Sequence, residues 1–477
     1  MARVILIQPP LMPDEIFVRG SKGSASIIPP LGIAYIAAYL RLHGHECRII
    51  DGIAQPRSLD EVSMDAAEYD VVGVTVVSAY VLRAIELLRC LKKNPRCPPL
   101  VVGGPHVTAL SESLLAHGAD FAVIGEGEET TLELVDWLSG SRDRSELREI
   151  KGLVYQDGNE TISTGQRSLI VTLDTIPMPA RDLLPMHLYG GSIARASAHP
   201  SHSLLASRGC PGVCTFCSKK TFGREVRYFT PSRVVDEFML LVRDYRAKDV
   251  AVMDDNFLSR EDYVSEICEL LRKKGFNATF SVEARVDNVT EHLLRNLKAS
   301  GCTYIAYGFE SGSQRILDHI NKRETLDEMR RVVALTKQAG LRIRGYFMLG
   351  FPSETAEEME QTIRFAMELD VDVASFTLVV PFPGTGDYLR AQKSGTFDPE
   401  YFYKSILPEF NFPKEPVYVP AGLTADELLR IHRRAYNRYY FRSGPILRRL
   451  ASIRQASDLS AALRGGWTLL VNALGKR

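Results

Sequence analysis

Between residues 3 and 135, short apolar runs alternate with amphipathic stretches. The runs are RVILIQPP (3–10), CRIIDG (47–52), VVGVTVVS (71–78), LVVGGPH (100–106) and FAVIGEGEE (121–129). Nearly every position within them is apolar, and each ends in Gly, Pro or a polar residue, as parallel strands covered on both faces do. GIAYIAAYLRLHG and AYVLRAIELLRCLKK, which lie between them, carry apolar residues at helical spacing. The pattern predicts a doubly wound, Rossmann-like α/β domain over residues 1–135. Sheets of that kind bind ligands beyond the carboxyl ends of their strands.

Residues 136–200 break the alternation. GLVYQDGNETIST reads as a hairpin turning at Asp157-Gly158-Asn159, and TIPMPARDLLP as a proline-punctuated linker. A second alternation occupies residues 201–390. Its strand candidates are SLLAS, DVAVMDD, ATFSVEAR, TYIAYGFES, RIRGYFMLG and VASFTLVVPFPG, separated by helical patterns such as EDYVSEICELLRKKG and TAEEMEQTIRFAMEL. Six successive parallel strands predict a partial (β/α)6 barrel, with polar residues at the strand ends where such barrels place chemistry. Residues 391–477 form an aromatic and then basic, helical C-terminal region.

Composition changes this picture little. The chain has 477 residues, 45% hydrophobic and 24% charged, and 58 basic residues balance 58 acidic ones, so no global polyelectrolyte partner is implied. The first residues are too short an apolar run for a signal peptide, and no stretch reaches a membrane-span length. Cys47, Cys90, Cys97, Cys268 and Cys302 are scattered, which argues against a disulfide framework and for a reducing cytoplasm.

The other three cysteines do change it. SRGCPGVCTFCSKK (207–220) places Cys210, Cys214 and Cys217 within eight positions. A structural zinc site wants four ligands, and the nearest candidate for a fourth, His202, lies in the preceding strand. An iron–sulfur cubane held by three thiolates accounts for the number better, because one iron stays open for a small molecule. The glycines and the proline of GCPGVC suit a loop that wraps such a cluster closely.

CPGVCTFC resembles the three-cysteine motif of the radical S-adenosylmethionine (SAM) enzymes, with its aromatic before the last cysteine. The resemblance implies a [4Fe-4S] cluster on Cys210, Cys214 and Cys217, whose open iron chelates SAM and cleaves it to a 5′-deoxyadenosyl radical. It places Phe216 against the cofactor. It puts Asp254, Asp255 and Asn256 of MDDNF near the SAM amino group. Glu283 and Arg285 of VEAR, with Gly308, Glu310 and Ser311 of YGFES, resemble ribose- and carboxylate-binding positions. Gly345, Gly350 and Glu354 of GYFMLGFPSE resemble the adenine-side motif.

The first domain resembles the cobalamin-binding domain fused to many of these enzymes. On that likeness Gly103, Gly104, Gly125, Glu126 and Gly127 at strand ends approach the cofactor, and Thr75 and Ser78 hydrogen-bond its buried base. The Asp-x-His-x-x-Gly motif that gives cobalt a histidine is absent after the first strand, where QPPLMPDE stands. His106 is the candidate replacement.

Together these resemblances imply a cobalamin-dependent radical SAM methyltransferase. It would act on an unactivated carbon of a small-molecule or lipid-like substrate, through methylcobalamin and the deoxyadenosyl radical. A flavodoxin- or ferredoxin-type protein would be its one-electron reductant. A cyclase or ring-rearranging enzyme, similar to the anaerobic porphyrin-ring cyclase group, shares the layout, and a cobalamin or SAM sensor is the non-catalytic alternative. Methylthiotransferases carry a second three-cysteine set, for which Cys47, Cys90 and Cys97 are too far apart. From Arg430 to Arg477 the chain holds a net charge of +10. That tail could cap the acidic body or touch anionic lipid at the inner face of a membrane; no nucleic-acid module is recognisable.

Overall fold

The computed structural model describes residues 1–12, 27–140, 143, 145–190, 198–406 and 415–444. The first sheet comprises β1 (Arg3–Gln8), β2 (Glu46–Asp51), β3 (Val71–Thr75), β4 (Leu100–Gly103), β5 (Phe121–Val123), β6 (Leu153–Asp157) and β7 (Glu160–Ser163), in the order β2-β1-β3-β4-β5-β6-β7. β1 to β5 are parallel, with Val4 opposite both Cys47 and Val71 and Thr75 opposite Gly103. Chain order reverses between β1 and β3, and a doubly wound sheet opens its ligand crevice at that point. The hairpin turns at Gly158 as expected and extends this sheet antiparallel to β5, with Ala122 opposite Val154.

The second sheet is assembled from β8 (Ser201–Leu204), β11 (Asp249–Val252), β12 (Thr279–Ala284), β13 (Cys302–Glu310), β14 (Arg342–Leu349) and β15 (Val373–Leu378), all parallel and in chain order. Between β8 and β11 a two-stranded ribbon, β9 (Ser207–Arg208) with β10 (Arg227–Tyr228), brackets the cysteine loop. Helices return the chain between strands, and their starts are chemically marked. Thr325 with Glu328, Thr355 with Glu358 and Thr424 with Glu427 form reciprocal capping boxes.

A six-stranded partial barrel leaves an open edge at β15, whose backbone needs partners. The helix Ala425–Tyr440 supplies them. Tyr436 Oη accepts the Phe376 N–H and donates to its carbonyl, Tyr440 does the same at Ala374, and His432 Nε2 bonds the Phe376 carbonyl. Arg434 and Arg438 pair with Glu360, and Arg442 with Asp370. The described part of the basic tail therefore caps the barrel; residues 445–477 lie outside the described residues.

The two α/β units pack directly on each other. Leu31 and Tyr35, from the helix Leu31–Leu42 behind the first sheet, are buried in the barrel's apolar core. Phe402 and Val417 from the C-terminal region are buried in the core of the first unit. Arg181 in the linker bonds Glu237 and the Ser203 carbonyl at 2.5 and 2.6 Å in a fully buried ion pair. All eight cysteines are free thiols, and no helix among the described residues is long and apolar enough to cross a membrane.

Candidate active site

The cysteine loop hangs from the β9–β10 ribbon and is held by Asp254, two residues beyond β11. The Asp254 carboxyl accepts the Ala206 N–H at 2.7 Å and the Ser207 hydroxyl at 2.5 Å. Burial pushes its pKa up to about 7 against these hydrogen bonds. Asp254, expected as a cofactor contact, is thus committed to holding the strand that leads into the loop. Its neighbours divide the other tasks. Asp255 is exposed toward the large cavity described below, and Asn256 accepts the Arg285 N–H at 3.2 Å while its buried Nδ2 has no partner.

Cys210 is buried, and Cys214 and Cys217 are half-buried. A Cβ added to Gly212 would stand 3.4 Å from Cys210 Sγ, 3.8 Å from Cys214 Sγ and 3.4 Å from Arg285 Nη1. The loop therefore curls around a hollow that any larger residue would narrow. Burial raises the thiols of Cys214 and Cys217, opposed by Lys322 and Arg285 at Cys214 and by Lys219 at Cys217. Three cations around three thiols suit a site whose ligands must bind as thiolates. Among the described residues no three His, Cys, Asp or Glu side chains converge on one point as a single ion requires. In a cubane each thiolate binds a different iron, so separated sulfurs are what a cluster needs. His202, the alternative fourth ligand, is buried with Nε2 against the Tyr245 carbonyl. The residues fit a cluster.

The barrel's strand ends supply a second set of groups. Arg285 reaches Cys214 Sγ at 3.5 Å and is anchored by Asp287, Glu324 and the Lys322 carbonyl. Lys322 pairs with Glu310 at 3.3 Å in the same buried network. Glu283 accepts the Tyr346 hydroxyl at 3.4 Å inside the barrel. Phe216 lies against Phe351, ring centroids 5.8 Å apart, just past the Gly350 turn. The Gly350 and Phe351 N–H groups both donate to Glu354 Oε2, while Oε1 is buried without a partner. The unpartnered Asn256 Nδ2 and Glu354 Oε1 are the kind of polar atom a bound nucleoside satisfies.

Two expected contacts take structural roles. Ser311 is fully buried, its hydroxyl shared with Thr362 and accepting the Ser313 N–H. Gly345 lies within β14, where a Cβ would stand 2.9 Å from Phe347 and 3.0 Å from Phe309. It makes room for the stacked Phe309 and Phe347 rings.

A cavity of about 680 Å³ runs from the carboxyl ends of the first sheet to residues 218–223, the segment that directly follows Cys217. Thr75, Gly103, Gly104, Gly125, Glu126 and Gly127 line one side, and Lys219, Phe222 and Asp255 the other. Gly104 shows why glycine is needed. Its φ is +103°, and a Cβ would lie 2.9 Å from the Val76 carbonyl, where the ends of β3 and β4 are laced together. The apolar lining and the glycine floor, which lets a ligand approach the backbone closely, fit a corrin.

Ser78 and His106 do not line this cavity. His106 is fully buried, with Nδ1 2.9 Å from Ser78 Oγ and Nε2 3.3 Å from Tyr403 Oη and 3.4 Å from Ser113 Oγ. Burial lowers its pKa to about 4. Both ring nitrogens of His106 and the Ser78 hydroxyl, expected as cofactor contacts, have protein partners away from this cavity. Glu126 lines the cavity, but its carboxylate turns toward Arg208 and Arg227.

Lys219, Lys322, Glu324, Gln8, Gly73 and Tyr80 were missed. Lysines and glutamates in turns read as solvated, and a glycine inside a strand reads as a weak strand position. Only the cavity gives Gly73 a reason, together with Leu6, whose side chain a Cβ would meet at 2.6 Å.

The model of the radical SAM superfamily matches residues 204–366, and that of the B12 binding domain residues 23–135. An uncharacterized methyltransferase of Pyrococcus horikoshii is 33% identical over 449 residues, covering 92% of this chain and 93% of its own. The anaerobic magnesium-protoporphyrin IX monomethyl ester cyclase of Rubrivivax gelatinosus is 28% identical, covering 86% of this chain and 74% of its own. The structure of the radical SAM methyltransferase TsrM from Kitasatospora setae, with cobalamin and a [4Fe-4S] cluster bound, superposes with a TM-score of 0.65 at 19% identity. It covers 82% of this chain and 74% of that one.

Proposed function

The chain belongs to the radical SAM enzymes with a B12-binding domain, and we propose that it is a methyltransferase acting on an unactivated carbon of a small-molecule or lipid-like substrate. The observation that carries this reading is the cavity walled on one side by the glycine-bearing strand ends and on the other by Ser218, Lys219, Phe222 and Gly223, the segment that directly follows Cys217. A cavity that ends against the segment carrying the cluster ligands brings the two cofactor sites side by side, as a reaction shared between them requires. When bound, the cluster gives SAM an electron that makes a hydrogen-abstracting radical, and cobalamin carries the methyl group.

The chain's own residues do the rest. Cys210, Cys214 and Cys217 hold the cluster, and Arg285, Lys322 and Lys219 offset the thiolates' charge. Asp254 fixes the loop's origin. Asn256 and Glu310 at their strand ends and Glu354 at the Gly350 turn offer polar atoms to SAM, with Phe216 as an apolar wall. The apolar strand ends of the first sheet exclude water from the shared space. In this reading the electron comes from a flavodoxin- or ferredoxin-type donor. Arg434, Arg438 and Arg442 are paired with the barrel and so are engaged away from any lipid.

The test is anaerobic reconstitution with iron, sulfide and hydroxocobalamin, followed by incubation with methyl-labelled SAM and a reductant. Retention of base-off cobalamin after desalting, label in the cobalamin fraction and formation of 5′-deoxyadenosine are expected. If cobalamin washes off while SAM is still cleaved, the methyltransferase reading fails and a cobalamin-independent radical reaction replaces it. Retained cobalamin without label, beside continued SAM cleavage, favours the cyclase chemistry of the Rubrivivax relative.

A further inference from the structure

A buried ionic network joins the two walls of the shared cavity. Glu126 sits between Gly125 and Gly127 in the turn after β5. Its backbone faces the cavity, while its carboxylate passes through the unit boundary to Arg208 Nη1 at 2.8 Å and Arg227 Nη1 at 2.7 Å. Arg208 Nη2 also bonds Glu128 at 2.5 Å, and Glu126 Oε2 accepts the Ile170 N–H at 2.9 Å. All four ionic side chains are at most 4% exposed.

Arg208 and Arg227 are paired residues of β9 and β10, the ribbon that bracket the cysteine loop. Arg208 precedes Gly209 and Cys210 directly. Arg227 Nη1 and Nη2 also hold the carbonyls of Ile170 and Phe222, at 2.6 and 3.0 Å. The guanidinium of Arg208 lies over the Tyr35 ring on one side and near Phe222 on the other. One carboxylate thus grips both strands that carry the loop, from the turn that floors the opposite side of the cavity.

A network of this kind is a poor device for stability alone. Desolvating two arginines and two glutamates offsets most of their attraction, and Nε of both Arg208 and Arg227 is buried without a partner. What it supplies is geometry, because a forked guanidinium donates to carboxylate oxygens only in narrow orientations. We propose that Glu126 is a positioning residue which, through Arg208 and Arg227, holds the glycine turn of the cobalamin wall in fixed register with the cysteine loop and so sets the separation of the two cofactors. The inference rests on the function proposed above. Transfer between two bound groups is steeply sensitive to that separation, an error near 1 Å costing on the order of a hundredfold.

The test needs no substrate. Holoenzyme reconstituted with iron, sulfide and hydroxocobalamin is reduced, and the distance distribution between cob(II)alamin and the reduced cluster is measured by pulsed electron paramagnetic resonance. Wild type should give one narrow distribution. Glu126→Gln and Arg227→Lys should retain iron and cobalamin, broaden the distribution about twofold, and slow label transfer from SAM to cobalamin at least about tenfold while uncoupled 5′-deoxyadenosine formation persists. If both variants load fully and keep the wild-type distribution, the assignment is overturned. If Glu126→Gln alone fails to load, Arg227→Lys decides by the same distribution. If neither variant folds and loads, the network is a folding requirement and the positioning role falls. Wild type that binds no cobalamin overturns the proposed function rather than this assignment.

Discussion

Ser78 Oγ and His106 Nδ1 are 2.9 Å apart in the interior of the first unit, and neither residue lines the large cavity at the strand ends. The ring's other nitrogen faces Tyr403, delivered by the C-terminal region nearly 300 residues later in the chain. His106→Ala should therefore leave the visible spectrum of bound cobalamin as in wild type. The same change opens a cavity and strands Ser78, costing about 2–3 kcal/mol in chemical denaturation. A spectral shift in the variant would show that the imidazole reaches cobalt.

The His106 pKa is lowered to about 4 by burial. A depressed folded pKa stabilises the fold above the unfolded value near 6.5, and that stability is lost as pH falls toward 4. Wild type should lose more melting temperature than His106→Ala between pH 7 and pH 5.

Glu354 titrates with the opposite sign. Burial pushes its pKa up to about 8, although it accepts the Gly350 and Phe351 N–H groups. The folded state then favours the proton, so its contribution is fully present below the unfolded pKa near 4.5 and is lost as pH rises through about 8. Glu354→Gln keeps an acceptor for both N–H groups and removes the titration. Relative to wild type it should gain on the order of 1–3 kcal/mol between pH 6 and pH 9 in denaturant unfolding. Parallel curves for the two proteins would refute this.

Gly212 tests the cluster hollow without touching a ligand. Gly212→Val should fold yet hold less than half the wild-type iron after reconstitution, about as damaging as Cys214→Ala, because its side chain enters the space beside Cys210 and Cys214. Full iron occupancy in Gly212→Val would place the cluster elsewhere.

Gly104→Ala and Gly158→Ala form a matched pair, both at positive φ. A Cβ at Gly158 meets open space, so only backbone strain of about 1 kcal/mol is expected. At Gly104 the Cβ also meets the Val76 carbonyl, and the loss should be larger, with cobalamin retained less well after desalting. Equal stability and equal retention in the two variants would remove Gly104 from the cavity floor.

Much of this molecule is legible in one dimension. The apolar-rich runs begin within one residue of ten of the eleven parallel strands, because a strand with a buried face must be largely apolar there; several runs continue past the strand's end, and β8, SHSL, begins two residues before the run SLLAS that announces it. The cysteine loop is legible because ligand spacing is a local property of the chain. The direction of a single strand-end side chain is not legible in this way. Asp254, Ser311 and His106 have the right chemistry at the right strand ends, yet each is claimed by a partner distant in sequence: Ser207 through a neighbouring strand, Thr362 through a helix, Tyr403 through the returning C-terminal region. The sequence by itself determined two α/β units, their strands and the three thiols. Tertiary structure alone decided which strand-end groups face the shared cavity and that Glu126 reaches across it, since a side chain's direction depends on the hydrogen-bond partners that packing brings within about 3 Å.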